Sequence, residues 1–250
     1  MKIHLQLSLG MLLCLCMSTS AATTYYVATN GTDAANNSGT SWSTAFLTIS
    51  NAVTKAQNND AIVISNGIYT LGTKLVLDKA LIIAGTNGAT HTIINGNGKY
   101  GGFYITGAAT LSGVTVTNCN GVDSWIDSGG ICIENAGARV ANCIVSGCTV
   151  TNTNRKGGGV FMSAGTVSNC VIRGNEIRGT TISSRGGGVN MSGGCMVDCE
   201  IAFNQAKYDA GGVFLSGASR MIRCQVYTNY SETSGGGVRA YYFNGFVQEC

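Results

Sequence analysis

The chain has 250 residues, enough to bury a substantial core, with 44% apolar and only 11% charged residues. Its net charge of +3 is spread along the sequence, which excludes the concentrated basic footprint of a nucleic-acid or acidic-membrane binder. With 36 glycines, abundant Ser, Thr and Asn, and no proline, the composition predicts an all-β protein rich in tight turns.

The first 22 residues differ from the rest. Lys2 precedes an apolar run from Leu5 to Met17 that ends in "STSAA". Small residues at Ser20 and Ala22 suit signal-peptidase cleavage after Ala22, so residues 1–22 are expected to be a signal peptide. The run is short for a membrane span, and a retained anchor helix is the alternative. Neither Cys14 nor Cys16 follows the small residue that a lipoprotein signal needs. A secreted or cell-surface location is therefore expected.

Residues 23–98 are expected to hold an N-terminal cap and the first coils. "TTYYVATNGTDAANNSGTSWSTAF" gives a short strand and a polar loop. In Leu47 to Asn59, Ile49, Ala52, Val53 and Ala56 share one helical face, and this helix is read as a cap over the first coil. "DAIVISNGIYT" and "KLVLDKALIIAGT" return to strands.

From residue 99 to 250 the chain repeats. "GG" followed by an apolar residue recurs at Gly101, Gly129, Gly158, Gly187, Gly211 and Gly236, at intervals of 28, 29, 29, 24 and 25 residues. Val160 and Met162, Val189 and Met191, and Val213 and Leu215 follow the glycines at period two, one face of a strand. A second run recurs as Val167, Cys170, Ile172; Met196, Cys199, Ile201; and Met221, Cys224, Val226. The column Cys143, Cys170, Cys199, Cys224, Cys250 begins with Val114, which marks a buried slot for a small apolar side chain. Five residues on, Asn175, Asn204 and Asn229 form another column, with Cys119 and Cys148 in the two preceding coils. At the strand spacing of about 4.8 Å these Asn side chains can bond from coil to coil as a structural ladder.

Nine of the eleven cysteines follow the signal, all from Cys119 onward, an odd number that does not form a fully paired disulfide framework. They form neither CxxC pairs nor a set with His91, the one histidine of the mature chain, so no metal or cofactor is expected. Two or three short strands per coil, one face always inward, describe a parallel β-helix. The LxxLxL skeleton of leucine-rich repeats is absent, and a β-sandwich would not keep register over six copies. The chain stops at Cys250 part-way through a coil, and the protein is expected to continue beyond it.

On these residues the chain resembles the right-handed parallel β-helix superfamily, the pectin-lyase-like fold. The opening "YYVATNGTDAANNSGTSWSTAFLTISNAVTKAQNNDAIVISNGIY" is similar to that of exported bacterial β-helix proteins. Gly187-Gly188-Val189 with Ile201 to Asn204 is similar to the repeats of polymorphic outer-membrane proteins. The resemblance implies an exported bacterial solenoid. Its bearing on function is weak, since the superfamily holds polysaccharide lyases, hydrolases and adhesins.

The outward positions after the glycines are Tyr104, Cys132, Phe161, Asn190, Phe214 and Arg239. They include no carboxylate column; Glu134 stands alone among Thr106, Ser163, Ser192 and Ser216. A lyase needs clustered Asp for Ca²⁺ plus a base, and a hydrolase needs paired carboxylates. The ligand-binding candidates are instead the aromatics Tyr104, Phe161 and Phe214, with Trp125 and Tyr208 from the loops. The same loops add Asp123, Asp127, Arg155, Lys156, Arg178, Arg185 and Asp209. Aromatics edged by polar groups suit sugar rings or a protein partner, or they pack beneath the loops. The leading expectation is an adhesin-like module that binds a polysaccharide or a cell-surface protein. The alternatives are a lyase or hydrolase of acidic polysaccharide with catalytic residues outside this stretch, and a structural spacer.

Overall fold

The computed structural model describes residues 21–121, 128–152, 156–179, 181 and 184–250. The later turns of the chain are built like the coil that begins at Gly187, while the earlier ones lack its fourth strand. Val189–Met191 is followed by Cys195–Val197, then Glu200–Ala202, then the two-residue strand Gln205–Ala206. Corresponding strands of successive coils pair in parallel, which gives sheets of nine, seven, seven and four strands. The nine-stranded sheet runs from Thr24–Val27 to Phe246–Gln248, and the seven-stranded sheet after the glycines from Leu75–Leu77 to Val238–Phe243. The protein is an all-β parallel β-solenoid with one short α-helix among the described residues.

Strands this short cannot stand alone; they persist because each coil bonds to the coils before and after it. The register is strict. Ile131 pairs with Val160 and Val160 with Val189, while Val167 pairs with Met196 and Met196 with Met221. Alternate residues therefore stack inward as columns, and Val189, Met191, Met196, Cys199 and Ile201 are all buried in one continuous core. Removing a side chain of this size from water contributes roughly 1.5–3 kcal/mol.

Corners between strands are made by single residues in the left-handed region. Asn142, Asn169, Asp198 and Arg223 have φ between 49° and 53°, and each directly precedes a buried cysteine. A second corner uses Gly147, Gly174, Phe203 and Thr228, each directly before Cys148, Asn175, Asn204 or Asn229. At that corner the Asn side chains satisfy backbone groups that the turn leaves unpaired. Asn175 Nδ2 donates to Val145 O at 2.9 Å, and Asn175 Oδ1 accepts from Cys148 N at 3.0 Å. Asn204 and Asn229 repeat the pattern against Ile172 O and Ile201 O. The glycines lie opposite this ladder: a Cβ on Gly188 would stand 2.7 Å from Asn204 Nδ2 and 2.8 Å from Gly212 O. "GG" and the Asn are thus two sides of one contact.

The cysteines from Cys119 to Cys250 are free thiols. In the slot column, Cys199 Sγ donates to Val197 O at 3.3 Å, and Cys170 Sγ to Ser168 O at 3.1 Å. Hydrogen bonding to the preceding thiol of the stack, with burial adding to it, pushes Cys170 and Cys199 up to about 12, while the next thiol acts the other way. Cys143 runs the other way: its thiol is lowered by the hydrogen bond from Cys170.

The helix spans Ile49–Lys55, shorter than the Leu47 to Asn59 pattern. Thr48 caps its start, its hydroxyl accepting from Asn51 N, and Asp33 binds Leu47 N, Thr48 N and Thr48 Oγ1. Ala56 ends it with extended backbone, and Lys79 Nζ closes the last carbonyls through Val53 O and Ala56 O. Ile49, Ala52, Val53 and Ala56 are buried against the core. No helix among the described residues is long and apolar enough to cross a membrane.

Candidate functional site

Tyr104, Cys132, Phe161, Asn190, Phe214 and Arg239 stand in register as one outward column on the post-glycine sheet. Outward here does not mean exposed. Cys132, Phe161, Asn190 and Phe214 are buried, and Tyr104, half-buried, donates through its hydroxyl to Glu134 Oε2 at 2.7 Å. The cover comes from the segment entering the glycines. Lys156, Arg185, Asp209 and Ser234 follow one another through parallel bridges. Lys156 Nζ lies 5.2 Å from the Phe161 ring centre, and Arg185 Cζ lies 4.5 Å from that of Phe214. Phe161 and Phe214 are therefore floors beneath cations rather than open platforms.

One buried carboxylate organises the cations. Asp209 is 1% exposed. Its Oδ1 is 3.1 Å from Arg239 Nη1 and accepts from Ser234 Oγ at 3.3 Å. Its Oδ2 lies 3.7 Å from Arg185 Nε. Burying a carboxylate is costly unless it is paired, and Arg239 with Ser234 supplies that pairing. Arg185 is engaged more loosely, because 3.7 Å is beyond hydrogen-bond length. Its Nε is buried with no hydrogen-bond partner, while the guanidinium also stacks 5.2 Å from the Tyr241 ring centre.

These groups frame a cleft of about 270 Å³. Lys156 and Arg185 line it from the entering segment, Asn190, Ser192, Phe214 and Ser216 from the sheet, and Tyr241 and Tyr242 from the last coil. Tyr241 and Tyr242 meet edge to face, with ring centres 4.4 Å apart and planes at 65°. Tyr242 is 84% exposed and adopts φ +46°, a left-handed conformation unusual for a bulky residue. The pairing explains it. Leu215 faces Ala240, but Gly217 faces Phe243, so the register shifts there and one extra residue bulges outward.

Two other hollows are larger but offer no unpaired charged side chain among the described residues. One, of about 440 Å³, lies along the corner of Asn169, Asp198 and Arg223, where Arg223 is already bound to Asp198 at 2.7 and 2.8 Å. The other, of about 550 Å³, lies between the helix start and Ile68 to Thr73, and no charged side chain lines it.

Of the residues expected to bind a ligand, the structure brings Lys156, Arg185 and Phe214 into one cleft, with Asp209 behind them. Phe161 lies under Lys156 in the same face. Tyr104 belongs to an earlier coil and engages Glu134. Arg178 is turned to Glu176 at 2.8 Å, and Tyr208 is half-buried, its carbonyl accepting from Ser231 Oγ at 3.2 Å. Asp123, Trp125, Asp127 and Arg155, like most of the apolar leader, lie outside the described residues.

Tyr241 and Tyr242 were missed by sequence reasoning, although a signal was present. Tyr241 is the next member of the column Thr106, Glu134, Ser163, Ser192, Ser216, and the only aromatic in it. Among the described residues no group of three or more His, Cys, Asp or Glu side chains is placed to hold a metal ion.

Fold and site together define a parallel β-solenoid that carries a cationic, aromatic cleft on one sheet. No family model matches the chain, and no curated protein or solved structure matches it.

Proposed function

We propose that this protein is an exported, surface-associated β-solenoid module that binds glycan in the cleft between Arg185 and Tyr242. Its coils are read as right-handed, like those of pectin-lyase-like proteins, since parallel crossovers strongly prefer that hand. The relation of its glycine-and-Asn repeats to those of polymorphic outer-membrane proteins belongs to the same reading. The observation that carries the function is the exposed Tyr241–Tyr242 pair beside the cationic donors Lys156 and Arg185. A ring face with directional donors at its edge is what a pyranose needs: apolar C–H contact on one side and hydroxyl partners around it.

Binding is favoured over cleavage because no carboxylate among the described residues lines the cleft, so they supply no pair for glycosidic acid–base chemistry there. Titration of the purified chain against a panel of oligosaccharides tests the function. Tyr242→Ala, whose side chain is mostly in solvent, should lower affinity at least about fivefold with little change in stability. Binding that ignores both Tyr241→Ala and Tyr242→Ala would remove the site.

A further inference from the structure

The charge of the cleft specifies more than a sugar. We propose that the saccharide it takes is anionic, with a carboxylate or sulfate ester held by Arg185 and assisted by Lys156. This rests on the glycan reading above and adds the substrate class.

Three observations lead to it. Among the described residues, the charged side chains lining the cleft are Lys156 and Arg185, and none of these lining residues is acidic. The nearby carboxylate, Asp209, is committed to Arg239 at 3.1 Å and to Ser234, and sits behind the cleft at 1% exposure. Asp209 is thus shared by two guanidinium groups, closely by Arg239 and at the longer distance by Arg185.

The third observation is the state of Arg185 itself. Its side chain is only 19% exposed, its Nε has no hydrogen-bond partner, and its carboxylate neighbour is 3.7 Å away. The contacts that hold it among the described residues are the rings of Phe214 and Tyr241 and that long ion pair. A guanidinium presents five donors in a rigid fork that matches an oxyanion. Here the fork is removed from most of its water and fixed in place by ring stacking, without a matching acceptor. An oxyanion entering beside Tyr241 meets a cation that has already lost its hydration and mobility, where attraction is stronger than in water. A neutral sugar supplies only hydroxyl acceptors and leaves that charge uncompensated.

The test is calorimetric titration of the whole chain with three size-matched probes: a neutral tetrasaccharide, a tetrauronate and a sulfated tetrasaccharide. At low ionic strength one or both anionic probes should bind at least about tenfold tighter than the neutral one, an advantage that shrinks with added salt. Arg185→Gln should weaken the anionic probes far more than the neutral one, so that the advantage falls to within about twofold, whereas Arg185→Lys should keep part of it. Lys156→Gln gives an independent reading should the Arg185 variants fold poorly, as judged by circular dichroism. Preference for the uronate or for the sulfate identifies which oxyanion the cleft selects. Equal affinity for neutral and anionic probes overturns the anionic class, and an anionic advantage that survives Arg185→Gln and Lys156→Gln overturns its assignment to these two cations; either outcome leaves the glycan reading standing. Failure of all three probes to bind overturns both.

Discussion

The side-chain oxygen of Asn204 accepts two hydrogen bonds from Asn175, one from its backbone N–H and one from Nδ2, each 3.0 Å long. Asn204 Nδ2 in turn donates to Ile172 O at 2.9 Å and to Asn229 Oδ1 at 3.0 Å. Asn204→Ala therefore strands several buried groups at once, and each costs about 1–3 kcal/mol when unpaired. A loss of about 3 kcal/mol is expected in urea unfolding. Asn229→Ala, at a half-buried position, should cost about half as much, because water can replace the lost partner. Equal effects would show that the ladder acts through something other than buried bonds.

The ladder and the core were legible in the sequence because a solenoid repeats its register. Once Val189 and Met191 are assigned inward, the same columns in neighbouring coils follow. The corners were legible only in part. Val167, Cys170 and Ile172 were read as one run, yet the step of three from Val167 to Cys170 breaks the period of two. The extra residue, Asn169, is the left-handed corner at φ 50°. The cleft was less legible for a different reason. Phe214 is buried by Arg185 from the preceding coil, a contact decided by how the entering segment folds back over the sheet. Column counting names the residues that face outward but does not show what lies on top of them.

Cys199 occupies an apolar slot with its Sγ on Val197 O at 3.3 Å and Val167 O at 3.7 Å. Cys199→Val keeps a small apolar group there, as Val114 does two coils before Cys170, and should be mild. Cys199→Ser replaces the thiol with a smaller, more strongly solvated hydroxyl and should cost roughly 1–3 kcal/mol. Urea unfolding of both variants tests this. Similar losses for Val and Ser would mean that the thiol hydrogen bonds, rather than apolar packing, decide the site.

The same thiols set a pH dependence. Cys119, Cys170, Cys199 and Cys224 are raised, by hydrogen bonding to neighbouring thiols and by burial, and Cys250 chiefly by burial, with Cys170 and Cys199 at about 12 against 9.0 for an ordinary thiol. Cys143 is lowered instead, through its hydrogen bond with Cys170, and opposes the trend. For a raised thiol the folded state holds its proton more tightly than the unfolded state. Its contribution is therefore complete below about pH 9 and is lost as pH rises from 9 toward 12. Unfolding midpoints in urea should be level from pH 7 to 8.5 and then fall, with a shallower decline in Cys170→Val/Cys199→Val. A decline just as steep in that double variant would assign the effect to other groups.

Ala210 takes the place that Gly186 holds one coil earlier, and both have positive φ, 56° and 77°. For alanine that conformation costs on the order of 1–2 kcal/mol. Ala210→Gly relieves the strain but gives the unfolded chain more freedom, which leaves an expected gain of about 0.5 kcal/mol. Gly186→Ala should cost more than that gain, because its new Cβ would stand 2.2 Å from Val189 O in addition to the strained φ. Thermal midpoints that moved the same way in both variants would contradict this account.

Asp209 links stability to binding with opposite signs. Its carboxylate is 1% exposed and is paired to Arg239 at 3.1 Å, with Arg185 at 3.7 Å. Asp209→Asn removes the one negative charge between two guanidinium groups, and breaking a buried pair in this way costs about 3–5 kcal/mol. The same change adds one unit of net positive charge behind the cleft and leaves Arg185 with no carboxylate neighbour there. An anionic saccharide should therefore bind Asp209→Asn more tightly, by about threefold or more at low salt, even as the protein becomes less stable. Arg239→Gln is the counterpart: it also weakens the fold, but it leaves Asp209 free to compete for Arg185, so affinity should fall. Calorimetry at a temperature where both variants remain folded separates the two. If both variants lose affinity in proportion to lost stability, Asp209 acts as scaffold alone and does not compete for Arg185.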